Sequence, residues 1–144
     1  MIRKASPQDI DAIINIWHEG SILAHSFIRP DYWNSQIDEM KTTYIPMSVT
    51  YVKVENMKIV GFISMVENYL AALFVDQHYQ NSGIGKELLE CGKKQREHMK
   101  VKVYKKNTKA VNFYERNGFI KVESLVDENT NEQECLMEWN GKHD

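Results

Sequence analysis

A short segment with two closely spaced glycines is where the sequence most clearly predicts chemistry. Gln80-Asn81-Ser82-Gly83-Ile84-Gly85-Lys86 follows an apolar run and leads into a stretch with helical periodicity. The first backbone N–H groups of a helix have no partner inside the helix, and the helix dipole favours negative charge there. Glycines let that backbone approach a phosphate closely, and Lys86 adds a positive charge. The segment predicts an anion site, unless the glycines serve only to turn the chain.

The spacing of these glycines excludes two common phosphate loops. A Rossmann fingerprint would need a third glycine at position 88, which is Leu88. A Walker A loop needs two glycines separated by four residues and then Lys-Ser or Lys-Thr, and this spacing is absent. What remains is the pattern Gln-x-x-Gly-x-Gly, which is weak on its own.

A second segment adds a possible partner for the same ligand. Asn107, Ala110 and Tyr114 are separated by three and four residues, so they share one face of a predicted helix. The small residue between two polar ones leaves room for a ligand along that face. Phe113 and Phe119 are predicted to point toward the core, and a tyrosine at helical spacing is itself a frequent core residue.

Taken together, the two segments resemble the cofactor motifs of the GNAT superfamily of acyl-coenzyme A N-acyltransferases. The second motif, residues 107–119, lies about 25 residues after the glycine loop, as it does in that family. Residues 17–28 also resemble the first-helix region of small single-domain bacterial members. The resemblance implies one domain over residues 1–144 that transfers acetyl from acetyl-coenzyme A (acetyl-CoA) to a primary amine, without a metal.

The resemblance also implies which residues hold the cofactor. The strand before the glycine loop would pair with pantetheine through its main chain. The expected cofactor-binding residues are Leu73, Phe74, Val75, Gln80, Asn81, Ser82, Gly83, Ile84, Gly85, Lys86, Asn107, Ala110, Phe113, Tyr114 and Arg116. Lys105, Lys106 and Lys109 are further candidates for the outer phosphates, or form a solvated basic face.

Catalysis of this kind needs an acid, a base and a polarised carbonyl. Tyr114 is the expected general acid for the departing thiolate, and a backbone N–H of Phe74 or Val75 would polarise the thioester carbonyl. Many members carry a glutamate base at the position of Tyr69. Here Glu67 lies two residues earlier and so on the same strand face. We predict it as the base acting through water, with an exposed turn carboxylate as the alternative.

The acceptor side is less well defined by the sequence. The resemblance places His25 and Phe27, between the first two predicted helices, beside the acceptor amine. His25 and His78 are further candidates for the base, and no histidine stands in a metal-ligand pattern. Trp33, Tyr44 and Tyr51 are possible pocket aromatics, although such residues more often belong to the core.

Three functions remain compatible with these residues. The first is acetylation of a small-molecule or peptide amine. The second is a non-catalytic acyl-CoA-binding regulator of the same fold, which the presence of Tyr114 disfavours. The third is a toxin-type enzyme acting on aminoacyl-RNA, which the net charge of −2 disfavours because RNA binding needs a strongly basic surface.

Periodicity along the chain predicts the elements that hold these segments. The order is βααβββαβαββ: an α+β (mixed α/β) domain with a mostly antiparallel, twisted sheet of about six or seven strands and about four helices. Strands are expected at 2–5, 49–55, 58–66, 69–75, 101–104, 119–126 and 133–139. Helices are expected from Ser6 onward, where Ser6, Pro7 and Asp9 form a capping-box pattern, between Pro30 and Pro46, and at 83–98 and 107–117. The first helix has an apolar stripe at Ile10, Ile13, Ile14 and Trp17, and the second has one at Trp33, Ile37, Met40 and Tyr44. The continuous apolar run 69–75 predicts a strand that is buried on both faces.

The composition indicates where the protein acts and which classes of partner it has. Of 144 residues, 42% are hydrophobic and 26% charged, and no apolar run approaches the roughly 20 residues needed to cross a bilayer. We therefore expect a cytoplasmic protein, with no membrane or nucleic-acid partner, as a monomer or homodimer. Cys91 and Cys135 form no metal or disulfide pattern, and Cys91 is predicted to be a buried structural thiol.

Overall fold

A seven-stranded sheet forms the centre of the computed structural model, which describes residues 1–141. The strands are β1 (Ile2–Lys4), β2 (Val49–Glu55), β3 (Lys58–Val66), β4 (Tyr69–Val75), β5 (His98–Tyr104), β6 (Ile120–Asp127) and β7 (Glu132–Asn140). Their spatial order is β1-β2-β3-β4-β5-β7-β6, and every neighbouring pair is antiparallel except β4–β5. This confirms the predicted α+β fold with its mostly antiparallel sheet.

Helices cover both faces of the sheet. They are α1 (Ile10–Ala24), α2 (Pro30–Glu39), α3 (Ile45–Met47), α4 (Ile84–Lys93) and α5 (Thr108–Arg116). A π-helical turn, Met40–Tyr44, joins α2 to the single turn α3. The sequence predicted that the helix would end at Pro46, but the chain stays helical to Met47. It can do so because the wider π-helical turn lies just before the proline, whose missing N–H could not take part in a regular helical hydrogen-bond pattern.

Each face of the sheet has its own apolar core. One core packs under α4 and α5 and includes Leu88, Leu89 and Phe119. The other packs under α1 and α2 and includes Ile13, Trp17 and Trp33. The predicted stripe of α1 is buried there as expected, whereas Tyr44, predicted to continue the stripe of α2, is 48% exposed. Tyr51 packs against the α4–α5 core.

The start of α1 is fixed by the residues that the sequence predicted for it. The Asp9 carboxylate accepts hydrogen bonds from the Ser6 backbone N–H (2.8 Å) and from the Arg3 guanidinium (2.7 and 3.0 Å). Pro7 occupies the first helical turn, where its missing N–H has no consequence. The pair Arg3–Asp9 thereby ties strand β1 to the first helix.

Strands β4 and β5 touch only at their beginnings. Their parallel pairing is confined to Tyr69 and Lys100, beyond which the two strands diverge. Strand β4 also contains a bulge, because Ala72 pairs with Ser64 and Leu70 with Met65, which leaves Ala71 as an extra residue. Ala71 is exposed, so β4 is not buried on both faces throughout, as its apolar sequence had predicted.

The boundary between α4 and β5 lies earlier than predicted. Helix α4 ends at Lys93 and β5 begins at His98, whereas the sequence predicted a helix to about residue 98 and a strand from residue 101. Met99, Val101 and Val103 are buried and alternate with exposed polar residues, which is the pattern of a half-buried strand. Cys91, predicted to be buried, is only half-buried on α4.

Candidate active site

The diverging strands open into a cavity with a volume of about 910 Å³. Strand β4, the glycine loop with the start of α4, and helix α5 form three of its walls. All the predicted cofactor-binding residues except Ser82 line it. The Ser82 hydroxyl instead donates a hydrogen bond to the Tyr79 carbonyl within the loop. The cavity therefore brings the two sequence motifs together.

The glycine loop has a backbone suited to an anion. Asn81 and Gly83 are both left-handed, with φ of 64° and 84°, and Gly83 is the N-cap of α4. Such turns direct successive N–H groups toward one point, next to the unpaired N–H groups of the helix start. A Cβ on Gly83 would meet no atom within 4 Å, so the space beside the loop is open.

Helix α5 presents its predicted face to the cavity. Asn107 is its N-cap, accepting a hydrogen bond from the Ala110 N–H (3.3 Å), and both residues line the cavity. Tyr114 lies one turn further along, 6% exposed, with its ring edge-on to Phe113 and Phe119. Burial, and then the nearby Tyr69, raise the pKa of the Tyr114 hydroxyl, which therefore stays protonated at neutral pH.

Four cationic side chains stand around the cavity: Lys86, Lys106, Lys109 and Arg116. Lys109 donates a hydrogen bond to the Gln80 side chain (3.0 Å), and Gln80 in turn donates one to the Val75 carbonyl (3.2 Å). These bonds link the glycine loop to α5 and to β4. Lys105, a further candidate for the outer phosphates, is not on the cavity wall.

A fourth wall was missed by the sequence analysis. It is the second half of α1, where Ile16, Gly20 and Leu23 lie at helical spacing. These residues are next to the apolar stripe from which the helix was predicted. A Cβ on Gly20 would lie 2.6 Å from the Phe74 ring, so only glycine lets α1 approach β4 this closely. The spacing of four and then three residues between Ile16, Gly20 and Leu23 could have indicated this face from the sequence.

His25 and Phe27 do not line the cavity but lie directly behind it. Asn107 donates a hydrogen bond to His25 Nε2 (3.3 Å), and the His25 ring stacks on Trp33 with 5.1 Å between centroids. Burial lowers the pKa of His25 to about 4, so the ring is neutral at pH 7. Phe27 is half-buried with Lys106 above its ring, 5.5 Å from the centroid.

The remaining base candidates lie outside the cavity. Glu67 is in the turn between β3 and β4, exposed and left-handed with φ of 54°, so it precedes β4 and does not share a strand face with Tyr69. Its carbonyl accepts a hydrogen bond from Arg96 (2.6 Å). His78 is exposed in the segment after β4 and is not part of the cavity wall.

Comparison with known proteins agrees with this arrangement. The acetyltransferase (GNAT) domain family matches residues 5–132. The chain belongs to the GNAT acetyltransferase family. It is 34% identical over 140 residues to the peptidyl-lysine N-acetyltransferase YiaC of Escherichia coli (strain K12), and the match covers 96% of each protein. The chain is accordingly an acyltransferase enzyme, as the resemblance had implied.

Solved structures match the fold of this GNAT domain over nearly its full length. The solution structure of apo YjaB from Escherichia coli superposes with a TM-score of 0.85 at 22% identity and covers 96% of both chains. The PaiA N-acetyltransferase of Thermoplasma acidophilum, solved in complex with coenzyme A, gives a TM-score of 0.78 at 22% identity and covers 97% and 98%. At these identities the likeness supports the fold alone.

Within residues 1–141, no group of three or more His, Cys, Asp or Glu side chains is arranged to hold a metal ion. No helix in the same range is long and apolar enough to cross a membrane.

Proposed function

We propose that this GNAT domain transfers the acetyl group of acetyl-CoA to a primary amine, and that the lysine side chain of a peptide is the acceptor class. One observation carries the proposal: a single cavity beside β4 is lined both by the glycine loop and by Tyr114. The relative YiaC, a peptidyl-lysine N-acetyltransferase matched over 96% of its length, favours a peptide over a small-molecule amine.

The residues around the cavity fit acetyl-CoA in charge and shape. The left-handed pair Asn81 and Gly83 and the start of α4 offer N–H groups to a pyrophosphate, and Lys86, Lys109 and Arg116 offer positive charge to the phosphates. The main chain of residues 73–75 lies on the wall where the strands diverge, free of a β-partner from β5. Gln80 must release the Val75 carbonyl if pantetheine is to pair with it.

Tyr114 is proposed as the general acid. It lies on the cavity wall, and its raised pKa keeps the hydroxyl protonated until a sulfur anion forms beside it. A backbone N–H of Phe74 or Val75 is proposed to polarise the thioester carbonyl. Glu67, the base predicted from the sequence, lies off the cavity wall, so its participation requires intervening water.

His25 and Phe27 are proposed to shape the acceptor side from behind. The hydrogen bond from Asn107 to His25 holds the N-cap of α5 in place, and Phe27 supports Lys106 at the cavity mouth. Neither side chain reaches the cavity wall in the structure, so their proposed role is to position residues that do.

The proposal is tested by free-thiol release from acetyl-CoA across a panel of acceptors. The panel contains lysine peptides with blocked N-termini, peptides with free N-termini, polyamines and aminoglycosides. We expect thiol release with the blocked lysine peptides, and mass spectrometry should place the acetyl group on the lysine. Binding of acetyl-CoA without turnover on any amine would instead identify an acyl-CoA-binding regulator.

A further inference from the structure

The second half of α1 is anchored to both of the diverging strands. Gly20 lies against the Phe74 ring of β4, so closely that a Cβ on Gly20 would be 2.6 Å from that ring. His25, the C-cap residue of α1, accepts a hydrogen bond from Asn107 (3.3 Å), and its ring is edge-on to that of Tyr104 at the end of β5. The helix therefore spans the opening beyond the point where the pairing of β4 with β5 stops.

One face of this half of α1 belongs to the cavity wall. Its members are separated by three, one, three and one positions, which is the spacing of a single helix face: Ile16, Glu19, Gly20, Leu23 and Ala24. Three of the five are apolar and Gly20 has no side chain, while Leu23 is 59% exposed. On its α1 side the cavity is therefore an apolar strip that contains one carboxylate.

That carboxylate, Glu19, differs from the other acidic group of the cavity. Among the described residues on the wall, only Glu19 and Asp76 are acidic. One oxygen of Asp76 accepts the His78 N–H (2.9 Å), and the other lies 3.8 Å from Lys58 Nζ. The Glu19 carboxylate is exposed and makes no hydrogen bond or ion pair with any residue in the range 1–141. Glu19 is therefore the negative group of the cavity that is available to a ligand.

The positive groups of the cavity lie on other elements. Lys86 belongs to the start of α4, Lys109 and Arg116 belong to α5, and Lys106 comes from the segment just before α5. Helix α1 itself contains neither lysine nor arginine. A cationic group that enters the cavity is repelled by these four side chains and attracted by Glu19, so its favoured position is beside α1.

We propose that Glu19 binds the ammonium group of the acceptor lysine and that Leu23 contacts the carbon stem of the same side chain. This inference rests on the proposed function and identifies residues that select its acceptor. A lysine ammonium has three N–H donors and no acceptor, so a carboxylate without a partner suits it. Glu19 and Leu23 are four positions apart on a helix and therefore adjacent, which matches a side chain with an apolar stem and a charged end.

Gly20 brings this subsite close to the group that would polarise the thioester. The main-chain N–H of Phe74 is one of the two groups proposed for that role, and Gly20 packs against the ring of the same residue. Glu19 and Leu23 flank Gly20 on the cavity-facing side of the helix. Glu19 is assigned the recognition of the ammonium form, which is the form of lysine at neutral pH, and removal of the proton stays with the base of the reaction.

The first test compares Glu19→Gln with wild type on a blocked peptide that contains a single lysine. We expect KM for the peptide to rise about tenfold with kcat nearly unchanged. A tenfold change is at the lower end of what a hydrogen bond to a charged group contributes, and Glu19 is exposed to solvent. Charge reversal in Glu19→Lys should raise KM further, because the ammonium then meets a like charge.

A binding experiment separates the charge of the lysine from its stem. Coenzyme A replaces acetyl-CoA so that no transfer occurs, and Kd is measured by isothermal titration calorimetry for two peptides. One contains the lysine, and the other has norleucine in its place, which keeps the carbon stem but has no ammonium. Glu19→Gln should weaken binding of the lysine peptide about tenfold and leave the norleucine peptide unaffected. Leu23→Ala should weaken both peptides equally, by about threefold or more, because it removes apolar contact area.

A matched control and a cofactor measurement exclude indirect effects. Glu39→Gln removes an exposed carboxylate at the end of α2, outside the cavity, and should keep the wild-type KM and Kd values. The affinity of Glu19→Gln for acetyl-CoA should be at least that of wild type, since the lost charge is negative. Equal weakening of the lysine and norleucine peptides in Glu19→Gln would overturn the inference, and so would a lower affinity for acetyl-CoA.

The outcome for wild type distinguishes this inference from the function on which it rests. If wild-type protein releases no thiol from acetyl-CoA with any amine, the proposed function fails. If wild type turns over lysine peptides and Glu19→Gln does so with the same KM, the proposed function stands and the assignment of Glu19 alone is wrong.

Discussion

Tyr114 is the residue whose environment and proposed role agree most closely. Its hydroxyl is buried, neutral and on the cavity wall, so it can donate a proton to a sulfur anion but contributes little to holding the cofactor. In Tyr114→Phe we expect kcat to fall by about 100-fold or more, as for loss of a general acid, with an unchanged Kd for acetyl-CoA. Stopped-flow or coupled thiol assays give the first quantity, and isothermal titration calorimetry the second.

The control for this change is Tyr51→Phe. Tyr51 packs against the same α4–α5 core but lies outside the cavity, so removal of its hydroxyl should leave turnover unchanged. The Tm of Tyr114→Phe should not fall, because the hydroxyl has no hydrogen-bond partner among residues 1–141 and its loss leaves no group unpaired. Normal turnover in Tyr114→Phe would remove the residue from the mechanism.

Asp9 supports a second residue-scale prediction, on stability and pH. The hydrogen bonds from Arg3, and further ones from Ser6, lower the pKa of Asp9 to about 2. A carboxylate with a lowered folded-state pKa stabilises the fold above its unfolded pKa, near 3.8, and loses that contribution as the pH falls toward 2. Asp9→Asn should therefore destabilise the protein by about 1–2 kcal/mol at pH 7, because the amide loses the charge-assisted hydrogen bonds from Arg3.

Denaturant titrations at pH 7 and near pH 2 check this prediction. The difference between wild type and Asp9→Asn should shrink at the lower pH, because the wild-type carboxyl is then about half protonated in the folded protein and almost fully protonated in the unfolded chain. Asp11→Asn, an exposed carboxylate on α1, controls for general effects of charge removal. A difference that stays the same at both pH values would show that the charge of Asp9 is not the stabilising feature.

Among the helices and strands, the sequence predicted the boundaries that depend on interactions between residues close together in the chain. Ser6, Pro7 and Asp9 marked the start of the first helix, and β-branched runs marked β2 to β4, because capping and side-chain alternation act over a few residues. The end of α4 was misplaced because residues 94–98 are all polar and carry no alternation that would separate the end of a helix from the start of a strand. The bulge at Ala71 depends on its pairing with β3, which a single strand's sequence does not carry.

The residues of the candidate active site also divide into those that local patterns predicted and those that they did not. The glycine loop and the Asn107–Tyr114 face were predicted because each is a local pattern on one element, and the structure places both on one cavity. The wall formed by α1 was not predicted, because Gly20 meets Phe74 only through the packing of two elements that are far apart in the chain. Glu67 was placed on a strand face from spacing alone, whereas β4 begins two residues later.

The junction between the glycine loop and α4 offers a matched pair of substitutions. Gly83 is left-handed with φ of 84°, so Gly83→Ala should lose about 1–2 kcal/mol of stability through backbone strain alone, since the new Cβ meets no atom. Gly85 lies inside α4, where alanine is favoured over glycine by about 1 kcal/mol, and its Cβ would be 3.6 Å from the Phe113 ring. Gly85→Ala should therefore be as stable as wild type or more stable.

Thermal unfolding checks these two expectations: Tm should fall in Gly83→Ala and should be unchanged or higher in Gly85→Ala. Acetyl-CoA affinity should fall in Gly83→Ala, because a shift of the left-handed turn redirects the N–H groups that face the phosphates. A Gly83→Ala protein with wild-type Tm and affinity would show that the left-handed turn at this position contributes to neither property.

Over the whole molecule, charge is distributed unevenly in a way that suits an anionic cosubstrate. The net charge is −2, yet Lys86, Lys106, Lys109 and Arg116 all lie on the cavity wall. A local concentration of positive charge of this kind attracts the phosphates of the cofactor to the cavity.

Binding of acetyl-CoA should consequently stabilise the folded protein in a salt-dependent manner. At about a hundredfold excess over its Kd, a ligand that binds only the folded state adds about 2.7 kcal/mol. For a domain of this size that raises Tm by about 5–10 °C. In about 1 M salt, where the Debye length is about 3 Å, the shift at the same acetyl-CoA concentration should be smaller, because the contributions of Lys86, Lys109 and Arg116 are screened.

Differential scanning fluorimetry at low and high salt measures both effects, and a pair of variants locates the charge. Lys86→Gln should reduce the low-salt shift and weaken its salt dependence, since this side chain lies beside the glycine loop. Lys4→Gln, an exposed cation on β1 outside the cavity, should behave as wild type. If millimolar acetyl-CoA produced no shift at low salt, the cavity beside β4 would not be the cofactor site.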